Sequence, residues 1–120
     1  MLQAWGAANG VTLAAGTLNL CADRRPVVAG SFETLRPYAQ LVQPAWRATQ
    51  PGFDPRLYRV TLNGQVEAWL YRWSAEADLR TFVGDTTLCS AECHCEIVAQ
   101  SNLRALLALK DGDVLDLEIL

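Results

Sequence analysis

The sequence predicts a mainly β fold: a small barrel of short strands with one short helix near the C-terminus. Three observations carry this expectation. Asn63-Gly64 sits between two β-rich runs, LYRVTL and QVEAWLYRW, which is the strongest short-range hairpin signal. Leu115, Leu117 and Ile119 alternate with Asp116 and Glu118, the period of a half-exposed strand. The remaining apolar runs are short and are broken repeatedly by Gly, Pro and Asp.

Taken along the chain, Val11–Leu20 fits a loop leading into a short strand, with breaks at Gly10 and Gly16. Asp23-Arg24-Arg25-Pro26 reads as a turn, and Val27-Val28 as a second extended piece. In Ser31–Gln50, Pro37 and Pro44 prevent a long helix and leave a loop with one helical turn. Pro51–Pro55 reads as an irregular connection. The hairpin spans Leu57–Trp73. A two-residue Asn-Gly loop pairs Leu62 with Gln65 and Tyr58 with Trp69, and both faces of the second strand look half buried.

Ser74–Arg80 fits a short helical turn, and Gly84-Asp85 a turn inside Phe82–Leu88. His94–Ala99 reads as a strand. Ser101 is placed as the N-cap of a helix carrying Leu103, Leu106 and Leu107 on one face. Asp111-Gly112 then turns the chain into the last strand. With 120 residues, 51% of them apolar, residues 1–120 form a single domain able to bury its own core.

Composition excludes several function classes. A net charge of −3 gives no basic footprint for nucleic acid. No apolar run approaches the ~20 residues that span a bilayer. MLQAWGAANG lacks the charged and apolar regions of a secretory leader. A soluble cytoplasmic protein with free thiols is therefore expected. The sequence leaves the oligomeric state open.

Gly16-Thr17-Leu18-Asn19 is the main candidate for chemistry. Thr17 and Asn19, two apart on a strand, point to one face. Their neutral oxygens suit a Mg²⁺ ion that also holds phosphate oxygens and water. Gly16 lets a phosphate approach the backbone. The plainer alternative is that Thr17 and Asn19 satisfy local backbone groups at the start of a strand. Glu96 lies on the His94–Ala99 strand, where it either faces a cleft as a base or faces solvent. Trp46, Trp69, Tyr71 and Trp73 either stack on a planar ligand or belong to the core. Cys89, Cys93, His94 and Cys95, with Cys21 from elsewhere, carry ligand types suited to zinc. Successive residues of a strand alternate faces, however, so Cys93, His94 and Cys95 cannot all converge.

GTLNL resembles the PGTLNV segment of the archaeal-type CTP-dependent riboflavin kinases. CEIVAQSNLRALLALKDGDVLDLEIL resembles that family's closing block, with its strand, NLR helix and LKDGD turn. The resemblance implies a six-stranded cradle-loop (RIFT-like) barrel. It implies phosphoryl transfer from CTP to the 5′-hydroxyl of riboflavin, giving FMN, with Thr17 and Asn19 on Mg²⁺. On that reading Glu96, where it faces the cleft, is the candidate catalytic carboxylate that orients or deprotonates the hydroxyl. In that family a strand, a glycine-rich nucleotide loop and a helical stretch precede GTLN. Here Trp5–Gly10 is read as a shortened glycine loop joined to the GTLN strand, so Gly6, Gly10 and Gly16 are expected to contact the nucleotide. The rival expectation is a non-catalytic barrel of the same kind, binding a flavin, a nucleotide or a protein partner.

Overall fold

The structure, a computed structural model, describes residues 1–22, 31–38, 54–72 and 94–120. Among these, the chain runs through α1 (Leu2–Asn9), β1 (Leu18–Cys21), β2 (Glu33–Thr34), β3 (Arg56–Leu62) and β4 (Val66–Arg72). It continues through β5 (His94–Val98), α2 (Leu103–Leu106) and β6 (Leu117–Ile119). The strands form one antiparallel sheet in the order β1-β5-β4-β3-β2, with β6 also pairing β3. The sheet curls into a half-barrel, and the helices are few and short. The expected turn at Asp23–Pro26, the strand at Val27-Val28 and the elements assigned between Ser74 and Leu88 lie outside the described residues, as do Trp46, Trp73, Cys89 and Cys93.

Every strand of the sheet except β2 has one face in or against the main core. Tyr58, Val60 and Leu62 of β3 meet Ala68 and Leu70 of β4, Cys95 and Ile97 of β5, and Leu18 of β1. Ala99 and Leu103 complete this buried cluster, and Leu115, Leu117 and Ile119 pack against it from the chain end. The alternation Leu115-Asp116-Leu117-Glu118-Ile119 is thus realised as half-buried and exposed positions. A second cluster of Trp5, Leu13, Leu35, Leu57 and Val98 covers part of the opposite face, with Trp69 and Tyr71 against it.

The hairpin forms where Asn63-Gly64 marks it, but its register is shifted. Leu62 pairs with Val66 and Tyr58 with Leu70, so the loop has three residues, Asn63–Gln65. Asn63 and Gly64 both take positive φ, 51° and 65°, and Gln65 N donates to Leu62 O. The core decides the register. The two-residue loop would set Glu67 across from Val60, whereas the observed pairing aligns Tyr58, Val60 and Leu62 with Leu70, Ala68 and Val66 on one buried face. Asn63 is also tied to the chain end. Its N–H donates to Asp116 O at 2.8 Å, and its Oδ1 accepts from Asp116 N at 2.9 Å.

Two other expectations shift. The N-cap of α2 is Asn102, whose Oδ1 accepts from Ala105 N at 3.1 Å, not Ser101. Of the leucines assigned to its buried face, Leu103 is buried, Leu107 half-buried and Leu106 exposed. Residues 36–38 begin the helical turn expected after Ser31, with Tyr38 N bonded to Leu35 O.

Residues 5–10 are not a glycine loop. They belong to α1 and its cap. Ala4, Ala7 and Ala8 are strong helix formers, and Gly10 ends the helix in the left-handed region at φ 70°. Trp5 turns into the second core, 3% exposed, and meets Trp69 edge to face at 5.5 Å. Gly6 is buried, and a Cβ there would lie 2.3 Å from Val11 O. Its lack of a side chain lets the turn after α1 fold back onto the helix, which is why a glycine stands in mid-helix.

Candidate functional site

Among the described residues β1 stands at one edge of the sheet, and its pairing with β5 builds the site. The register sets Asn19 opposite Glu96 and Cys21 opposite His94. Leu18 and Leu20 point to the main core with Cys95 and Ile97, so period-two alternation sends Thr17, Asn19, His94 and Glu96 to the other face. Two side-chain contacts cross the strand pair there. Thr17 Oγ1 donates to Glu96 Oε1 at 3.2 Å. His94 Nε2 lies 2.9 Å from Asn19 Oδ1. Tyr71 of β4, half-buried, is the register partner of Glu96 on the other side.

The sequence-assigned residues separate clearly. Thr17, Asn19 and Glu96 come together on one face. Thr17 and Asn19 are exposed and Glu96 is half-buried. Gly16 precedes them at φ 80°, with open space around its Cα, so the backbone conformation calls for glycine there. Gly6 and Gly10 are elsewhere, in α1 and at its cap, and do not form a phosphate cradle. Trp69 and Tyr71 belong to the second core.

A cleft of ≈ 90 Å³ opens beside Thr17, lined by Ala14–Leu18 on one side and Ser101–Arg104 on the other, with Ile97 and Ala99 at its base. Whole-ligand pockets take roughly 300–1,000 Å³, so this cleft suits one phosphate-sized group. Arg104 lines it while pairing with Asp111 at 3.0 Å, both well exposed. Such an exposed pair contributes little to stability, at most about 1 kcal/mol.

His94, which the sequence sets among cysteines, meets Asn19 through its ring instead. Burial pushes the His94 imidazole below its usual range, Glu96 opposes that shift and Arg72 adds to it. The thiols divide. Cys21 is disulfide-bonded, its partner lying outside the described residues, so the free-thiol expectation is wrong for it. Cys95 is outside any disulfide, 1% exposed, and faces the core away from His94. Among the described residues no three His, Cys, Asp or Glu side chains gather to hold a metal.

A hard divalent ion fits the oxygen set nonetheless. Two adjacent ligands of an octahedral ion with bonds of about 2.1 Å lie roughly 3.0 Å apart. The Thr17–Glu96 separation of 3.2 Å is close to this. Because Thr17 donates its proton to Glu96, its lone pairs remain available to a cation.

No family model, curated protein or solved structure matches this chain. Among the described residues no helix is long and apolar enough to cross a membrane.

Proposed function

We propose that this chain is a riboflavin kinase-like phosphotransferase, CTP-dependent, built on a cradle-loop barrel. One observation carries the reading: β1–β5 pairing brings Thr17, Asn19 and Glu96 to one face, and Thr17 also borders a phosphate-sized cleft between Gly16 and Ser101–Arg104. The helix α1 also lies directly before GTLN, where the resemblance calls for a helical stretch.

The division of labour follows from the side chains. Thr17 and Asn19 supply neutral oxygens that hold Mg²⁺. The bound ion neutralises charge on the transferred phosphoryl group. Gly16 and the Ser101–Arg104 segment border the space for a phosphate of the nucleotide. Glu96, fixed by the Thr17 hydroxyl, accepts the proton of the riboflavin 5′-hydroxyl as that oxygen attacks. Positioning and charge neutralisation make up most of phosphoryl-transfer catalysis, so a sparse site suffices.

A specific observation favours a second reading. Residues 5–10 form a helix with Trp5 buried beneath it, not a loop over the site. This suits a barrel that binds a flavin, a nucleotide or a protein without turnover.

The deciding assay incubates the protein with riboflavin, Mg²⁺ and each nucleoside triphosphate and measures FMN. Turnover with CTP is expected, and Asn19→Ala should lower it. No FMN with any donor removes the kinase reading. Calorimetric binding of riboflavin or CTP without turnover would then support the second. Full activity in Asn19→Ala removes the ligand role of that residue.

A further inference from the structure

We infer that the cation site on the β1–β5 face takes His94 Nε2 as a ligand beside Asn19 Oδ1, and so prefers an octahedral divalent first-row transition ion of the Mn²⁺ or Co²⁺ class over Mg²⁺. The inference rests on the reading of Asn19 as a cation ligand and goes beyond it in donor set and metal class.

The geometry is that of neighbouring ligands. His94 Nε2 and Asn19 Oδ1 stand 2.9 Å apart. Without an ion that distance is a hydrogen bond. Around an ion with bonds of about 2.1 Å, it is also the separation of two ligands at right angles, roughly 3.0 Å. Binding therefore requires the shared proton to leave the contact, not a rearrangement of the strands. Glu96 is the register partner of Asn19 and stands two residues from His94 on the same face of β5. It supplies a carboxylate beside the pair. Thr17 is linked to that carboxylate. The resulting set is one imidazole nitrogen and two neutral oxygens from two hydrogen-bonded strands, with the Glu96 carboxylate adding negative charge beside them.

The nitrogen decides the metal. Mg²⁺ favours all-oxygen surroundings and keeps its water, whereas imidazole donors favour first-row transition ions. Cys95 cannot contribute a thiolate, since it is buried on the opposite face of β5. Asn19 is exposed, so an ion has a path to the pair.

The test uses the full chain without reductant and with the metal alone. Mn²⁺ is titrated in the absence of nucleotide and riboflavin, followed by pulsed EPR, and the Mn²⁺ and Mg²⁺ affinities of wild type and His94→Ala are compared by competition. Wild type should show nitrogen hyperfine coupling from a directly bound imidazole, lost in His94→Ala. The Mn²⁺ preference over Mg²⁺ should fall at least about tenfold in the variant. No Mn²⁺ binding, bound Mn²⁺ without nitrogen coupling, or an unchanged preference in His94→Ala overturns the proposal. The wild-type spectrum stands even if the variant folds poorly. Failure here leaves FMN formation with Mg²⁺ untouched, since that assay is separate.

Discussion

Glu96 accepts a hydrogen bond from Thr17 at 3.2 Å and faces Asn19 across the strand pair. A general base in this position makes a sharp prediction. Glu96→Gln keeps the shape and the bond to Thr17 but removes the basicity, so FMN formation should fall by about 10²–10⁴-fold with little change in KM for riboflavin. His94 makes another. Its folded pKa is lowered, chiefly by burial, so below about pH 6.5 the unfolded chain binds the extra proton and the folded chain resists it. The stability this gives is fully present above the unfolded value and is lost as pH falls through the folded one. Urea midpoints should therefore drop more in wild type than in His94→Gln between about pH 7.5 and about pH 5.5. At this scale the sequence is partly readable. The two-residue spacing of Thr17 and Asn19 places them on one face without any structure. The contact of His94 with Asn19 is not readable, because it depends on which of two strands 75 residues apart meet, and in what register.

Among the elements, α1 is the least expected. Gly6 and Gly10 resemble loop residues, yet one is a packing position and the other a helix cap. In an exposed helix Gly→Ala gains about 1 kcal/mol. Here the new methyl would lie 2.3 Å from the Val11 carbonyl oxygen, so Gly6→Ala should lower stability instead, read as a reduced urea midpoint with an unchanged slope. Local turn chemistry was more legible. Asn63-Gly64 needs positive φ at both residues and stands at the hairpin apex. Its exact loop length was not local information. The partition of Leu62, Val66 and their neighbours between core and solvent fixed it, together with the bonds from Asn63 to Asp116.

For the whole molecule, the sheet is clad on one side by the main cluster and on the other, in part, by α1 and Leu35. The strand β3 joins three neighbours, β4 along its length, β2 at its start and β6 at its end. The class of fold can be read from strand-length apolar runs, but this division into two clusters cannot, since Gly6 and Gly10 make α1 read as loop. The disulfide at Cys21 adds a covalent tie at the outer edge of the sheet, next to the site. Reduction should lower stability by about 2–4 kcal/mol, seen as a lower urea midpoint with dithiothreitol than without. The same treatment should change the midpoint of Cys21→Ser less than that of wild type, since the variant lacks this disulfide.

The alternation along β5 has one more consequence. Cys95 and Ile97 fill the main core while His94 and Glu96, interleaved with them, face the site. From His94 to Ile97, site-facing and core-facing side chains thus alternate residue by residue. Replacements on one parity can be absorbed without disturbing the other. Gaining or losing a single residue within the strand exchanges the two sets, sending a carboxylate into hydrocarbon and an isoleucine into water. Mutational drift in this segment should therefore proceed by exchange of side chains and never by a change in length.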